Sequence, residues 1–121
     1  MKILVLILFF PVVLAAQTWD ESRIFVFKGE VVDSKCSLGA MTPAAGKSHK
    51  TCAIRCIKNG IPPLLKVEYN GGYRYYLLVG QDKNSANELV LPFIGDPVEV
   101  RGSVIRDANM TMIVIDAIRK L

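Results

Sequence analysis

Three cysteines and a single histidine fall within one stretch of the 121-residue chain: Cys36, His49, Cys52 and Cys56. Such side chains ligate metals, pair as disulfides or act as nucleophiles. Ser48 precedes H-K-T-C-A-I-R-C-I-K-N-G, and Pro62 and Pro63 follow just beyond Gly60. Ser is a good N-cap and Gly a good helix stop, so the spacing predicts a helix over 49–59. Steps of three and four then put His49, Cys52 and Cys56 on one face. Ala53 and Ile57 flank that face, and Thr51, Arg55 and Lys58 point the other way. Cys36 lies upstream, beyond a Gly/Pro-containing loop, where it would fold back onto the same face.

Three chemistries fit this pattern. In the first, Cys36, His49, Cys52 and Cys56 form a Cys3His site. Four N/S donors suit tetrahedral zinc, and soft thiolates suit Cu(I), with Met41 as an extra soft ligand. The spacing departs from the common zinc motifs, which pair ligands as C-x2–4-C. In the second, an oxidising compartment pairs Cys36 with Cys52 or Cys56, stapling loop to helix and leaving one cysteine over. A Cys52–Cys56 bond is disfavoured, because a rigid helix holds an i, i+4 pair in poor geometry. In the third, Cys52, Ala53, Cys56 and Ile57 are the apolar face of a short core helix, with free Cys serving as a small hydrophobe.

Charge bears on each reading. Lys35, Lys47, Lys50, Arg55 and Lys58 surround the cysteines, with no acid between Asp33 and Glu68. Positive neighbours favour thiolate over thiol and would offset the charge of a three-thiolate metal site. Lys47, Lys50, Arg55 and Lys58 would also form a binding surface for an anionic ligand or an envelope protein. The competing function is a thiol-redox protein that uses a free Cys beside His49, since an imidazolium neighbour activates a thiolate. No orienting acid lies close to His49 in sequence, and C-x-x-C, H-E-x-x-H, C-x-x-C-H and Gly-rich phosphate motifs are lacking. A non-catalytic module is therefore expected.

The D-S-K-C motif, the loop, the H-K-T-C-A-I-R-C-I-K-N-G helix, the following β hairpin and G-D-P-V-E-V-R-G-S-V together resemble a group of small exported bacterial proteins. That group shares Asp-Ser-x-Cys, a His, a Cys-x3-Cys helix and an OB-like β remainder. The resemblance covers most of the chain after residue 16, and it implies export and an OB-like fold rather than a particular activity.

The elements that must position the cysteines follow in order. Residues 1–16 read as a secretory signal: Lys2 gives a positive start, and I-L-V-L-I-L-F-F-P-V-V-L is an apolar run too short to span a bilayer comfortably. Cleavage after Ala15 or Ala16 would deliver residues 17–121 as a single OB-like domain in the periplasm or outside the cell. An uncleaved anchor is the alternative, and no later segment is apolar enough to span. The 51% hydrophobic content is inflated by this run. The net charge of +4 is too small to argue for nucleic-acid binding.

After a polar lead-in containing Trp19, residues 24–33 have the β-branched and aromatic content of a first strand, with Gly29 as a bulge or bend. Residues 64–69 alternate, Asn70-Gly71-Gly72 is a strong hairpin turn, and residues 73–79 return as a strand. Tyr69, Tyr73, Tyr75 and Tyr76 cluster there; they read as strand and core residues, with a stacking surface as the alternative. A polar loop over 80–86 and a short apolar segment over 87–94 precede a strand at 97–106, which points Val98, Val100 and Val104 inward and bends at Gly102. A turn at 107–109 leads to a last strand at 111–118. Asn109-Met110-Thr111 fits a glycosylation sequon, relevant only in a eukaryotic secretory host. Five strands with Gly bends predict a mainly β fold: a small OB-like barrel with one short Cys/His helix inserted between strands one and two. A β-sandwich or an open α+β roll is the alternative.

Overall fold

The computed structural model describes residues 23–40 and 45–121. The expected signal, Trp19 and Met41 lie outside the described residues. Five strands account for most of the chain: β1 (Phe25–Asp33), β2 (Pro63–Tyr69), β3 (Gly72–Val79), β4 (Pro97–Asp107) and β5 (Met110–Lys120). Between β1 and β2 come a π-helical turn (Cys36–Ala40), a 3-10 turn (Lys47–His49) and the helix α1 (Lys50–Lys58). A shorter helix, α2 (Asn87–Val90), and a 3-10 turn (Leu91–Phe93) join β3 to β4.

The strands close into a ring in the order β1-β2-β3-β5-β4. Strand β1 joins two neighbours by dividing its length. Phe25 to Glu30 pair with β4, and Glu30 to Asp33 pair with β2, both antiparallel. The β2–β3 hairpin turns on Asn70 and Gly71, both at positive φ (49° and 76°), the twist that suits a two-residue hairpin. The parallel pairing of β3 with β5, from Leu77↔Met112 to Val79↔Val114, closes the ring. No described helix is long and apolar enough to cross a membrane.

Two glycines act by close approach. The β1–β4 register runs through Gly29 without the expected bulge, and a Cβ there would stand 2.3 Å from the Lys66 carbonyl oxygen. At Gly102 the expected bend is a register shift between Arg101 and Gly102, where a Cβ would stand 2.1 Å from the Val114 carbonyl oxygen. The extra residue at the shift is Asp116 of β5, so β4 keeps its alternation; Val98 and Val100 are buried, and Val104 is half-buried.

The ring encloses Val31, Leu65, Leu78, Val98, Val100, Ile113 and Ile115, and Ala53 and Ile57 of α1 join the same core with Val90 and Ile94. Burying an aliphatic side chain of this size is worth about 1.5–3 kcal/mol. That gain seats α1 on the ring with Thr51, Arg55 and Lys58 exposed, as its periodicity predicts.

The helix begins differently from expectation and ends as expected. Ser48 does not cap it: His49 occupies the N-cap position, and no side chain makes a capping bond. At the other end Gly60 adopts φ 93°, its N–H donates to Ile57 O, and the Ile61 N–H donates to Cys56 O. This is a Schellman closure on the expected glycine. Asn87 reinforces it, its side-chain amide donating to Ile57 O (2.7 Å) and Ile61 O (2.9 Å).

Replacing Gly102 with Ala forces β4 away from the Val114 carbonyl. It is expected to destabilise the fold by about 1–3 kcal/mol, the usual cost of overpacking. Urea unfolding of the Gly102→Ala variant with an unchanged midpoint would contradict this approach.

Candidate functional site

Asp33 and His49 are the buried polar side chains among the described residues, 0% and 4% exposed. Asp33 is the last residue of β1, and His49 stands immediately before α1, so strand and helix meet through them. The His49 Nε2 lies 2.9 Å from Asp33 Oδ2. The other carboxylate oxygen, Oδ1, accepts the Cys36 backbone N–H at 2.9 Å. An aspartate bonding the N–H three residues on is the usual N-capping arrangement. Here it turns the chain sharply out of β1, with the Ser34 N–H donating to Pro62 O at 3.1 Å.

That turn brings Cys36 back against α1. The Sγ atoms of Cys36 and Cys52 and a ring nitrogen of His49 lie within 4.8 Å of one another. So do an Asp33 carboxylate oxygen and the Sγ atoms of Cys36 and Cys56. The expected set of Cys36, His49, Cys52 and Cys56 is thus gathered as two overlapping groups that share Cys36. Cys36 and His49 are buried, whereas Cys52 and Cys56 are half-buried.

The electrostatics follow from burial around one carboxylate. For Asp33, burial acts to raise the pKa, but the Cys36 N–H, the His49 and Cys36 side-chain bonds and the His49 charge together hold it below the ordinary value. Burial, then the Asp33 charge and hydrogen bond, pushes the Cys36 thiol up from 9.0 to about 11. Burial and the Asp33 charge also raise the Cys56 thiol, and Lys35 only partly opposes them. The basic residues near the cysteines do not make Cys36 or Cys56 acidic, because the carboxylate is buried with the thiols while the cations are outside.

All three cysteines are free thiols, so no disulfide staples Cys36 to Cys52 or Cys56. The Cys36 thiol is instead engaged with the Asp33 carboxylate. Asp33 also supplies the orienting acid that the sequence neighbourhood of His49 lacks: it lies sixteen positions upstream, and the end of β1 delivers it. The sequence signal that would have found it is an aspartate three residues before a cysteine at the end of a strand.

Three of the four residues expected to form a basic surface are open to solvent. Lys47, Arg55 and Lys58 are exposed, but Lys50 is half-buried and faces Asp96 at 4.0 Å, which Lys120 also approaches at 3.0 Å. The tyrosines are committed to neighbours. Arg74 stacks over Tyr69 (3.5 Å), Lys66 lies over Tyr73 (4.0 Å), and Tyr76 packs on Phe27 with ring centroids 5.2 Å apart.

Two outcomes are expected of the reduced, metal-free protein. At neutral pH the Cys36 thiolate fraction is about a hundredfold below that of an ordinary thiol, given a pKa near 11 rather than 9.0. Timed alkylation with peptide mapping should therefore label Cys36 last, and labelling of Cys36 ahead of Cys52 would contradict its burial. The pH dependence of stability should have two arms. The Cys36 contribution is whole below pH 9.0 and is lost as pH rises through about 11, because the folded state holds that proton more tightly. The Asp33 contribution is present above the ordinary carboxyl pKa of 3.8 and is lost as pH falls below it. Urea titrations across pH should show Cys36→Ser flattening the alkaline arm and Asp33→Asn the acid arm.

No protein-family model matches the chain, and no curated protein matches it, so the reading of this site rests on its own geometry.

Proposed function

We propose that this chain is a small exported, non-catalytic module whose Cys/His centre binds one soft metal ion, Zn(II) or Cu(I), through Cys36, His49, Cys52 and Cys56. The carrying observation is the convergence of two thiols and an imidazole within 4.8 Å at the junction of β1 and α1. Donors around a zinc ion at ordinary bond lengths stand roughly 3.5 Å apart, so modest side-chain rotation would close this group on an ion. Cys56, already within 4.8 Å of Cys36, is the fourth donor. The donor chemistry fits a borderline or soft ion.

The thiols at Cys36 and Cys56 are protonated at neutral pH, so binding releases protons and strengthens as pH rises. Because the ligands come from separate elements, bound metal would clamp β1 to α1 and add to fold stability. The upward shifts at Cys36 and Cys56 weigh against either of them serving as the acidic thiol that the redox alternative needs.

The scaffold reading is an OB-like barrel. It is supported by the ring order β1-β2-β3-β5-β4, by the parallel β3–β5 closure and by a short helix between β3 and β4. The helix α1 between β1 and β2 is the addition that carries the site. Resemblance to exported Asp-Ser-x-Cys proteins and the apolar start support an exported module that works in the periplasm or outside the cell. Exposed Lys47, Arg55 and Lys58 suit an envelope partner or anionic ligand.

The test is an intact mass of the natively exported protein, with and without chelator and with thiol alkylation. The expected result is one metal-sized mass lost on chelation, followed by three alkylated cysteines. One alkylated cysteine and no metal would overturn the proposal in favour of a disulfide. At a thousandfold excess over Kd the metal should add about 4 kcal/mol of stability. His49→Ala should remove most of that increment, and it should also lower the metal-free stability, because it strips one partner from the buried Asp33 carboxylate.

A further inference from the structure

Resting on the metal reading above, we infer that Asp33 is a positioning residue: it holds the His49 proton on Nε2 and leaves Nδ1 as the nitrogen that ligates the metal beside Cys36 and Cys52. The argument concerns lone pairs. A carboxylate only accepts hydrogen bonds, and Asp33 Oδ2 lies 2.9 Å from Nε2. Two acceptors facing each other at that distance would repel, so Nε2 carries hydrogen. A protonated nitrogen has no lone pair for a metal, and an imidazole has only one other nitrogen. Asp33 and His49 are both buried, so water does not compete for this bond.

The same geometry decides between the two overlapping donor groups. Asp33 belongs to one of them by distance, with Cys36 and Cys56. Both of its oxygens are already committed, Oδ2 to His49 and Oδ1 to the Cys36 N–H. Ligation by Asp33 would have to break a buried bond, either the one that orients the imidazole or the one that turns Cys36 inward. Asp33 therefore supports two ligands from behind and is not itself a ligand. One carboxylate aligns the imidazole through its ring and Cys36 through its backbone, which couples the two donors that come from different elements.

The chain has a single histidine, so its ring nitrogens are identified without ambiguity. The experiment is long-range 1H–15N correlation on the full, reduced, 15N-labelled protein, first metal-free and then with 113Cd(II) as the probe. The expected spectrum has hydrogen on Nε2 in both states and a 113Cd–15N coupling at Nδ1. Asp33→Asn should weaken cadmium binding about 10- to 100-fold, the usual loss when a partner behind a ligand is removed. A neutral ring protonated on Nδ1 in the metal-free protein, or a coupling at Nε2, overturns the assignment even if Asp33→Asn fails to fold. So does a folded Asp33→Asn variant that binds cadmium within twofold of the parent. Failure to retain cadmium at all, with hydrogen still on Nε2, overturns the metal reading and the ligand assignment with it; no wrong-nitrogen result gives that outcome.

Discussion

The buried bond between Asp33 and His49 is the constraint on which the rest of the site depends. A carboxylate with no exposure needs partners for both oxygens, because leaving either unmet would cost several kcal/mol. Asp33 finds them in the imidazole that precedes α1 and in the backbone three residues downstream. Those two bonds fix where the helix starts relative to the sheet and force the chain to double back after β1. The clustering of thiols is a consequence: Cys36 is brought in by the turn, and Cys52 and Cys56 by the helix.

The ring supplies the rigidity that makes this arrangement hold. Strand β1 pairs with β4 over its first part and with β2 to its end, so its last residue, Asp33, is held opposite Pro63. Helix α1 is fixed at its far end by the Schellman closure at Gly60 and by the Asn87 amide, which reaches from α2 to the Ile57 carbonyl in the helix and the Ile61 carbonyl just past it. Apolar packing of Ala53 and Ile57 sets which face of α1 looks inward, and that face carries the cysteines along its edge. They are half-buried for that reason. The site is therefore dry behind, at Cys36 and His49, and open in front, at Cys52 and Cys56.

Much of the scaffold was legible in the residues themselves. Asn70-Gly71 specifies its hairpin because both positions need positive φ. The Cys-x3-Cys helix and its glycine stop follow from local periodicity and capping. Gly102 marks a real irregularity in the β4–β5 pairing, with the extra residue on β5. Ser48 and Gly29 are each compatible with more than one local geometry. A good N-cap residue does not cap when a neighbouring position takes up that geometry, and a strand glycine signals a bulge or a close backbone contact without distinguishing them. Asp33 was visible as part of D-S-K-C, but its relation to His49 spans sixteen residues and depends on where β1 ends.

What the sequence by itself determined is local: which residues carry soft-donor chemistry, that three of them share a helical face, where the helix stops, and where the strands and hairpin lie. These depend on contacts within a few positions, and residue type and spacing encode such contacts directly. Only the tertiary structure decided that β3 pairs in parallel with β5 to close the ring, that the thiols stand free, and that the lysines do not make Cys36 acidic. It also decided that Asp33 lies behind both His49 and Cys36. Those outcomes depend on which groups are buried together, because a charge shielded from water acts on its neighbours far more strongly than solvated cations nearby in sequence.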